Sequence, residues 1–534
     1  MLTKIKPYLI YFVLLLALFI RSYRIGDYPS INPDEAALGY NAYSLLQTGL
    51  DEHGASWPLH FKSFGDYKPG GYVYLALPFI KILGLTPLAV RLPNLILSVL
   101  SIYFLYKLLL LLSMSSRLSL ISSLVLAISP WHIHFSRGAW ESSTALSFII
   151  IGTYFFFQSK VKNVARNFSL FVLFYVLSLY VYHSARIFAP TLALCLLVTY
   201  KSYFLNLKSK LILPIIFGIL LCLPVLFSFI KNGGATRFGG VGLTADSGPL
   251  SRSNELLNQH QPLTIFTRLI HNKRSLYFLS WTQKYLSHFD LNFLFLSGDE
   301  VPRSKVPDMG QLYLLELPFL IVGLYCLLRQ PSYLQLKSLL IPWLFLSPIA
   351  SSLTFQAPSV LRSLPLVIPL TIITGIGITK LLTSFFNTAI VTILALLYLY
   401  SFAYYLDAYF IHYQKRYPFS WNYGFNQIVP YINSQKNNYK NIYVTNKYDQ
   451  PYILYLFYSQ YPPQKIQSQI SLTPPDKFGF STVTQIDNIH FQKITWAEIP
   501  DNSLIIDSDE DTIHIPTKII NFPNGSPAFK IYIK

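Results

Sequence analysis

Long apolar segments recur along the chain and are separated by polar ones. Segments of about 20 residues or slightly fewer begin near residues 7, 88, 118, 142, 167, 187, 211, 313, 338, 363 and 387. A helix needs about 20 mostly apolar residues to cross the hydrocarbon core of a bilayer. The pattern therefore predicts a polytopic α-helical membrane protein with about 11 transmembrane helices. A shorter apolar segment, 72–83, contains Lys81 and lies between glycines, and we interpret it as an interfacial helix.

Two polar regions between the apolar segments are long enough to carry function. The first, 26–91, includes a short amphipathic helix followed by the string Asp66-Tyr67-Lys68-Pro69-Gly70-Gly71. The second, 231–312, opens with glycine-rich turns at 232–234 and 238–240. Glycine adopts backbone conformations that other residues avoid, so these turns would make the second region mobile.

The C-terminal tail has a different composition, rich in Asn, Gln, Asp and Pro. Short β-type runs at 441–444, 504–506 and 528–533 alternate with a helical stretch at 452–458. We therefore predict a transmembrane domain, 1–406, followed by a small soluble α/β domain, 407–534.

Composition supports a membrane protein, since 52% of the residues are hydrophobic and only 12% are charged. We interpret the formal net charge of +18 as a signal of the membrane topology. If residues 72–83 stay in the interface, the basic clusters fall on the side of the N-terminus and all 24 acidic residues on the other. We thus expect a multi-pass protein of the plasma membrane with an extracytoplasmic tail and site. The basic charge needs no nucleic acid as a partner.

The N-terminus and the cysteines set further limits. The first apolar run follows Lys4 and Lys6 but lacks small cleavage-site residues, so we interpret it as a retained anchor. Cys195, Cys222 and Cys326 all lie within apolar runs, which argues against a disulfide framework.

Asp34 and Glu35 stand together just after the first apolar run. The string Asn32-Pro33-Asp34-Glu35 predicts a helix start, with Asn as the cap, Pro at the first position and acids in the first turn. Two carboxylates held at the edge of a bilayer suggest a site that handles protons or cations. A helix cap without further function explains the same string equally well.

Several cations are predicted to face the same leaflet as these acids: Lys68, Arg137, Arg186 and Arg362. Arginine binds phosphate with a planar fork and lysine as a point charge, so this set suits a phosphate-bearing lipid. The alternative for a single arginine at a span end is contact with lipid headgroups. We interpret His132 and His134 as polar loop residues, because no Cys or third His lies at a metal-binding spacing.

The order of short motifs resembles the GT-C glycosyltransferases that use polyprenyl-phosphate sugars, the group containing protein O-mannosyltransferases and lipid A aminoarabinose transferases. The resemblance covers roughly residues 1 to 385 and is carried by Asn32-Pro33-Asp34-Glu35, Tyr67-Lys68-Pro69, Arg91-Leu92-Pro93, Ser136-Arg137 with Glu141, Ser184-Ala185-Arg186, Ser297-Gly298-Asp299, Gly310-Gln311-Leu312-Tyr313 and Arg362-Ser363-Leu364-Pro365. In two places the chain departs from the family pattern. Gly70-Gly71 stand where a proline and a bulky residue are common, and Glu141 stands where Asp is common.

The resemblance implies an inverting transfer of a sugar from a polyprenyl-phosphate carrier to an acceptor hydroxyl of a protein, lipid or glycan. In this interpretation Asp34 is the general base and Glu35 orients Asp34 or the acceptor. Glu141 is a further candidate catalytic residue. The candidate donor-binding residues are Lys68, Arg137, Arg186, Arg362, Asp299 and Arg303, the last two on a region that could close over the carrier.

We expect no cofactor and leave a divalent metal open. The chain has no glycine-rich nucleotide-binding loop, which fits a donor already attached to lipid. The main alternative is a polytopic transporter or flippase of a lipid-linked or anionic substrate. Inverted repeats and charges at mid-bilayer are typical of such proteins. A non-catalytic membrane scaffold with a receptor tail is the second alternative.

Overall fold

The computed structural model describes residues 8–231, 242–260, 264–384, 387–476, 479–508 and 513–534. The glycine-rich turns at 232–234 and 238–240 lie outside these residues. Contacts divide the chain into two compact units. The first comprises Met1–Ile20, Leu97–Phe135 and Glu141–Ala403, and the second comprises Arg21–Ile96, Ser136–Trp140 and Tyr404–Lys534.

The described residues are mainly helical. In chain order, the α-helices are α1 (Leu9–Ser22), α2 (Pro33–Thr48), α3 (Gly71–Leu83), α4 (Pro87–Leu111), α5 (Ser116–Ile128), α6 (Pro130–Ser136), α7 (Glu141–Ser159), α8 (Val164–Val181), α9 (Ala185–Thr199), α10 (Lys201–Leu205), α11 (Lys208–Lys231), α12 (Gly248–Gln259), α13 (Ile265–Ile270), α14 (Lys273–Leu286), α15 (Glu316–Arg329), α16 (Leu334–Leu346), α17 (Ile349–Ser352), α18 (Val367–Ser384), α19 (Thr388–Asp407), α20 (Tyr413–Arg416), α21 (Phe425–Gln435), α22 (Pro451–Ser459) and α23 (Pro463–Gln469). The described part of the region 231–312 thus contains the helices α12, α13 and α14, where we expected a loop.

Each predicted apolar segment contains a helix, but not every helix is long and apolar enough to span a membrane. Among the described residues six pass that test: Pro87–Leu111, Val164–Val181, Ser209–Ser228, Pro331–Ser352, Leu364–Ser384 and Thr388–Arg416. A seventh span results if α5 and α6, bent by 58° at Ser129, count as one. Helices α1, α3 and α9 are apolar but shorter. The predicted class of polytopic α-helical membrane protein is confirmed, whereas the count of about 11 spans is not.

The core of the first unit depends on close helix packing. Gly323 on α15 faces the backbone carbonyl of Ile373 on α18, and Gly377 on α18 faces that of Phe319 on α15. A side chain at either glycine would collide with the neighbouring backbone. Small residues that let helix backbones approach closely are typical of membrane helix pairs.

The second unit contains a six-stranded sheet in the order β4-β5-β3-β6-β8-β7. Its strands are β3 (Asn441–Thr445), β4 (Gln485–Ile486), β5 (Ile489–Gln492), β6 (Ser503–Asp507), β7 (Lys518–Asn521) and β8 (Pro527–Ile533), and a separate hairpin is formed by β1 (His60–Ser63) and β2 (Asp66–Pro69). β3 runs parallel to β5 and β6, and the other pairs are antiparallel. The predicted C-terminal α/β fold, with strands near 441, 504 and 528 and a helix near 452, is confirmed.

Helix α2 packs inside the second unit against residues from the tail. Gly39 lies against Val90 and Phe457, where a Cβ would come within 2.6 and 2.8 Å of their side chains. The Tyr40 hydroxyl donates to the carbonyl oxygen of Tyr461 at 2.8 Å. By contacts, the tail therefore forms one unit with residues 21–96, while a division at residue 407 stays a prediction of where the soluble part begins.

Candidate functional site

Asp34 stands in the first turn of α2, which begins as the sequence predicted. Asn32 is the cap: its Oδ1 accepts from the backbone N–H of Glu35 at 3.1 Å, and the Glu35 carboxylate accepts from the backbone N–H of Asn32 at 3.2 Å. This reciprocal pair is a capping box, and Pro33 occupies the first helical position. The cap thus depends on Asn32 and Glu35, while the Asp34 side chain remains 44% exposed.

Lys68 reaches Asp34 from the β1–β2 hairpin. In that hairpin Phe61 pairs with Lys68 across the two strands. The Lys68 ammonium forms an ion pair with the Asp34 carboxylate and lies 4.8 Å from the centre of the Phe64 ring. Its side chain is only 14% exposed. A carboxylate and a cation that are 34 positions apart in the chain are therefore held in direct contact.

The residue after Pro69 has no room for a side chain. A Cβ at Gly70 would lie 2.5 Å from the Phe61 ring and 2.9 Å from the Leu59 carbonyl oxygen. This explains in packing terms why glycine stands at position 70, where proline is common in the family pattern. The turn of the same hairpin is tied to the tail, because the backbone N–H of Ser481 donates to the carbonyl oxygen of Phe64 at 2.8 Å.

Glu35 forms a buried ion pair with Arg91, a pairing that the sequence did not reveal. Arg91 Nε and Nη2 each donate to one Glu35 carboxylate oxygen at 2.8 Å, and the two side chains are 0% and 2% exposed. Glu35 Oε1 also accepts from the backbone N–H of Ala139 at 2.8 Å. Arg91 donates further to the backbone carbonyls of Ile25, Pro29 and Ser30. Glu35 is thus enclosed and positions the start of α2.

Arg137 is also enclosed by the second unit. Its guanidinium donates to the carbonyl oxygens of Arg21 at 3.1 Å, Tyr23 at 2.7 Å and Tyr28 at 3.3 Å, and to the Tyr409 hydroxyl at 3.3 Å. The residue is fully buried. These contacts favour a structural role, in which Arg137 holds the chain between α1 and α2, over contact with a ligand.

Glu141, Arg186 and Arg362 belong to the first unit. Glu141 is the first residue of α7 and Arg186 the second residue of α9, where its Nε donates to the Leu179 carbonyl oxygen at 3.1 Å. Arg362 donates to Thr354 Oγ1 at 3.4 Å. It also lines a mostly apolar cavity together with Ser142, Ala145, Leu146, Ile149, Tyr182, Ser184, Ala185, Phe188, Leu361 and Pro365.

Asp299 and Arg303 also lie in the first unit, before α15. The Asp299 carboxylate accepts backbone N–H bonds from Val301 at 2.9 Å and Val360 at 2.8 Å, and burial raises its pKa. The Arg303 carbonyl oxygen accepts from His134 Nε2 at 2.8 Å. The two residues therefore help to hold the segment around 299–303 against its neighbours.

The sequence predicts that His132 and His134 are polar loop residues, and this prediction is wrong. Both histidines lie buried on the short helix α6. Within the described parts of the chain, no group of three or more His, Cys, Asp or Glu side chains could hold a metal ion.

The segment between α2 and β1 contains polar residues that sequence reasoning missed. Asp51, Glu52 and His53 are consecutive, and the first two are almost fully buried. Three adjacent ionisable residues in a chain with only 24 acids were a signal that could have identified them. Burial raises the pKa of Glu52 to about 8 and lowers that of His53 to about 4. Both groups are therefore mainly uncharged at neutral pH.

Comparison with known proteins agrees with this architecture. The family model for dolichyl-phosphate-mannose-protein mannosyltransferases matches residues 11–230. No curated protein sequence matches the chain significantly. The crystal structures of ArnT from Cupriavidus metallidurans are similar in the apo state (TM-score 0.51, 11% identity, 93% of this chain and 92% of ArnT) and bound to undecaprenyl phosphate (TM-score 0.52, 10% identity, 94% and 93%).

An archaeal enzyme shares the fold over part of its length. The Archaeoglobus fulgidus oligosaccharyltransferase, in a complex with Zn and sulfate, matches with a TM-score of 0.52 and 12% identity, covering 84% of this chain and 61% of that enzyme. Identities this low establish the fold alone. The predicted resemblance to the GT-C glycosyltransferases is thereby confirmed.

Proposed function

We propose that this multi-pass membrane protein, which has the fold of the GT-C glycosyltransferases, transfers a hexose or pentose from a polyprenyl-phosphate carrier to an acceptor hydroxyl with inversion. The observation that carries the proposal is the Asp34–Lys68 ion pair. A carboxylate beside an ammonium group supports the proposal, because this reaction needs a general base and a cation that binds phosphate. Neither a transporter nor a scaffold requires this pairing.

Asp34 supplies the base. Its carboxylate is partly exposed, so an acceptor hydroxyl can reach it, and it is fixed by the capped start of α2. The acceptor oxygen attacks the anomeric carbon opposite the phosphate while its proton passes to Asp34. The bond from the anomeric carbon to the phosphate oxygen breaks, and the carrier leaves as a phosphate monoester. Its weakly basic leaving oxygen needs no general acid.

Lys68 stabilises the departing phosphate. An ammonium group has three donors, so Lys68 can keep its contact with Asp34 and still bind phosphate oxygens. Its low exposure limits competition from water, which strengthens the charge interaction. The enclosed Glu35 acts through Asp34 by fixing the helix start, and we assign it a positioning role.

Arg362 lines a small pocket of the first unit. Its lining is mostly apolar, and Arg362 provides a guanidinium that suits phosphate. The family model names a dolichyl-phosphate-linked sugar and one ArnT structure holds undecaprenyl phosphate, so these carriers are the first donors to test. We keep Arg186, Asp299 and Arg303 as candidates for donor binding and Glu141 as a candidate for catalysis.

We place the site on the extracytoplasmic face of the plasma membrane. The support is the charge distribution, with basic clusters on the side of the N-terminus and the acidic residues, including Asp34, on the opposite side. The acceptor would then be a protein, lipid or glycan of the cell envelope.

The decisive experiment is Asp34→Asn. The amide keeps the size of the side chain but does not accept a proton at neutral pH, and the cap on Asn32 is untouched. Transfer from radiolabelled dolichyl-phosphate or undecaprenyl-phosphate sugars by the purified protein should fall by about 100-fold or more. Binding of the donor should persist.

Asp27→Asn is the matched control. Asp27 is an exposed carboxylate of the same unit that pairs only with nearby Arg24 in the contacts described, so this variant should retain parental transfer. Parental activity in Asp34→Asn would show that Asp34 is not the base. If the parent consumes none of the lipid-linked sugars, the transporter or scaffold interpretation replaces the enzyme.

A further inference from the structure

Glu52 is a carboxyl group completely enclosed beside the proposed site. Its Oε1 accepts from Asn41 Nδ2 at 3.2 Å, and its backbone N–H donates to Asn41 Oδ1 at 3.0 Å. Its Oε2 has no hydrogen-bond partner among the described residues. Burying an ionised carboxylate with an oxygen left unpaired is costly, so this environment favours the protonated form. Burial accordingly raises the pKa of Glu52 to about 8.

The groups that face Glu52 come from four elements. They are Tyr40 on α2, Asp51 and His53 in the connecting segment, Lys68 on β2 and Tyr452 on α22. Lys62 on β1 acts on His53. Burial raises the pKa of both tyrosines, so they stay neutral. Burial and Lys62 lower the pKa of His53 to about 4, so its ring, 3.7 Å from Glu52, is neutral too.

Among these groups, Glu52 is the one whose charge changes just above neutral pH. Burial also raises the pKa of Asp51, but three backbone N–H groups oppose that shift by stabilising its ionised form. The charge of Asp51 disfavours ionisation of Glu52, whereas the Lys68 ammonium favours it. The electrostatic interaction of the Lys68 ammonium with Glu52 therefore depends on whether Glu52 is ionised.

Helix α2 connects Glu52 with the catalytic end of the site. Asp34 and Asn41 are seven residues apart, about two turns, and so share one face of the helix. Asn41 holds Glu52, and Asp34 holds Lys68. The Phe64 ring beneath the Lys68 ammonium also packs against Tyr452, with ring centres 6.2 Å apart. Lys68 thus forms an ion pair with Asp34 and also interacts electrostatically with Glu52.

We propose that Glu52 is a positioning residue that controls donor binding through Lys68. When Glu52 is protonated, the ammonium is shared only between Asp34 and the donor phosphate. When Glu52 is ionised, a second carboxylate competes for the ammonium and repels the phosphate. This proposal rests on the function proposed above and adds a regulatory role for pH.

The sign of the effect follows from linkage. A polyprenyl-phosphate sugar is a phosphodiester with one negative charge throughout the range tested, so the donor itself does not titrate. Its binding at Lys68 stabilises the protonated form of Glu52, and ionisation of Glu52 must weaken binding by the same factor. Donor affinity should therefore be constant below neutral pH and fall as the pH rises above about 8.

The test measures the dissociation constant and the KM of undecaprenyl-phosphate mannose between pH 6.5 and 9.5 in detergent. For the parent, both should rise by about tenfold across this range, while kcat changes less. In Glu52→Gln, which is neutral at every pH, both should remain at the value of the parent at low pH. Glu498→Gln, which removes an exposed carboxylate of the same unit, should follow the parent profile.

The outcomes are distinguishable. If Glu52→Gln keeps the pH dependence of the parent, Glu52 does not control Lys68. If Glu52→Gln fails to fold, the pH profile of the parent protein is the test. A dissociation constant of the parent that does not change with pH overturns the inference. If the parent neither binds nor consumes donor at any pH, the proposed function fails, and the inference fails with it.

Discussion

The buried Glu35–Arg91 ion pair gives the sharpest test of how this site is held in place. We consider Arg91→Met, Glu35→Gln and the double variant. Arg91→Met keeps a long side chain but removes both donors to the Glu35 carboxylate and those to the carbonyls of Ile25, Pro29 and Ser30. Glu35→Gln keeps the shape but leaves the guanidinium without a counter-charge.

The expected magnitudes follow from burial. Because the two side chains are 0% and 2% exposed, either single change leaves an unpaired charge away from water. Breaking a buried pair from one side costs about 3–5 kcal/mol in the free energy of unfolding. The double variant removes both charges, so its loss should be smaller than the sum of the single losses by about 2 kcal/mol or more. Each single change should also lower kcat, because Asp34 shares its helical turn with Glu35.

The assay is chemical unfolding of the purified proteins in detergent micelles, followed by tryptophan fluorescence. The control is the surface pair Arg24–Asp27, whose side chains are 48% and 59% exposed. Its removal should cost no more than about 1 kcal/mol and should show little coupling.

Two results would refute this reasoning. If Arg91→Met loses no more stability than an Arg24→Met control, the pair does not hold α2. If the losses of the single variants simply add in the double variant, the two side chains act independently.

Two further predictions concern the donor contact and the orientation. Lys68→Ala should lower kcat/KM for a lipid-linked sugar by about 10- to 150-fold, which is the value of a charge-assisted hydrogen bond. Lys68→Arg should restore part of the lost activity, and unchanged kinetics of Lys68→Ala at normal protein levels would eliminate the phosphate contact. A cysteine at the exposed position Ser468 should react with an impermeant thiol reagent in intact cells, whereas one at the exposed position Lys162 should not, and the reverse pattern would invert the topology.

Local features of the fold were predictable because they depend on residues close in sequence. The start of α2 needs only Asn32, Pro33 and Glu35, and the strands and helix of the tail follow from short-range patterns. The span count was not predictable in the same way. At Ser129 the chain bends by 58°, which divides one apolar segment into two helices that hydropathy alone does not separate.

Long-range partners could not be derived from sequence. Glu35 and Arg91 are 56 positions apart, and Arg137 uses carbonyl oxygens, which every residue carries. The sequence therefore identified Glu35 and Arg137 as functional candidates, and Arg91 only as part of a family motif, without revealing that all three are enclosed. The run Asp51-Glu52-His53 was visible in the sequence, but the burial that raises the pKa of Glu52 depends on the fold and could not be derived from the sequence.

The hydrogen bond from Ser481 to the turn at Phe64 has a consequence for how proteins of this fold can diversify. It ties the tail to the hairpin that presents Lys68, and Tyr40 ties the tail to the helix that presents Asp34. A tail from a relative could not be exchanged as an independent module, because its loops also shape the donor contact. Chimaeras should work only when residues 60–69 and the tail come from the same parent.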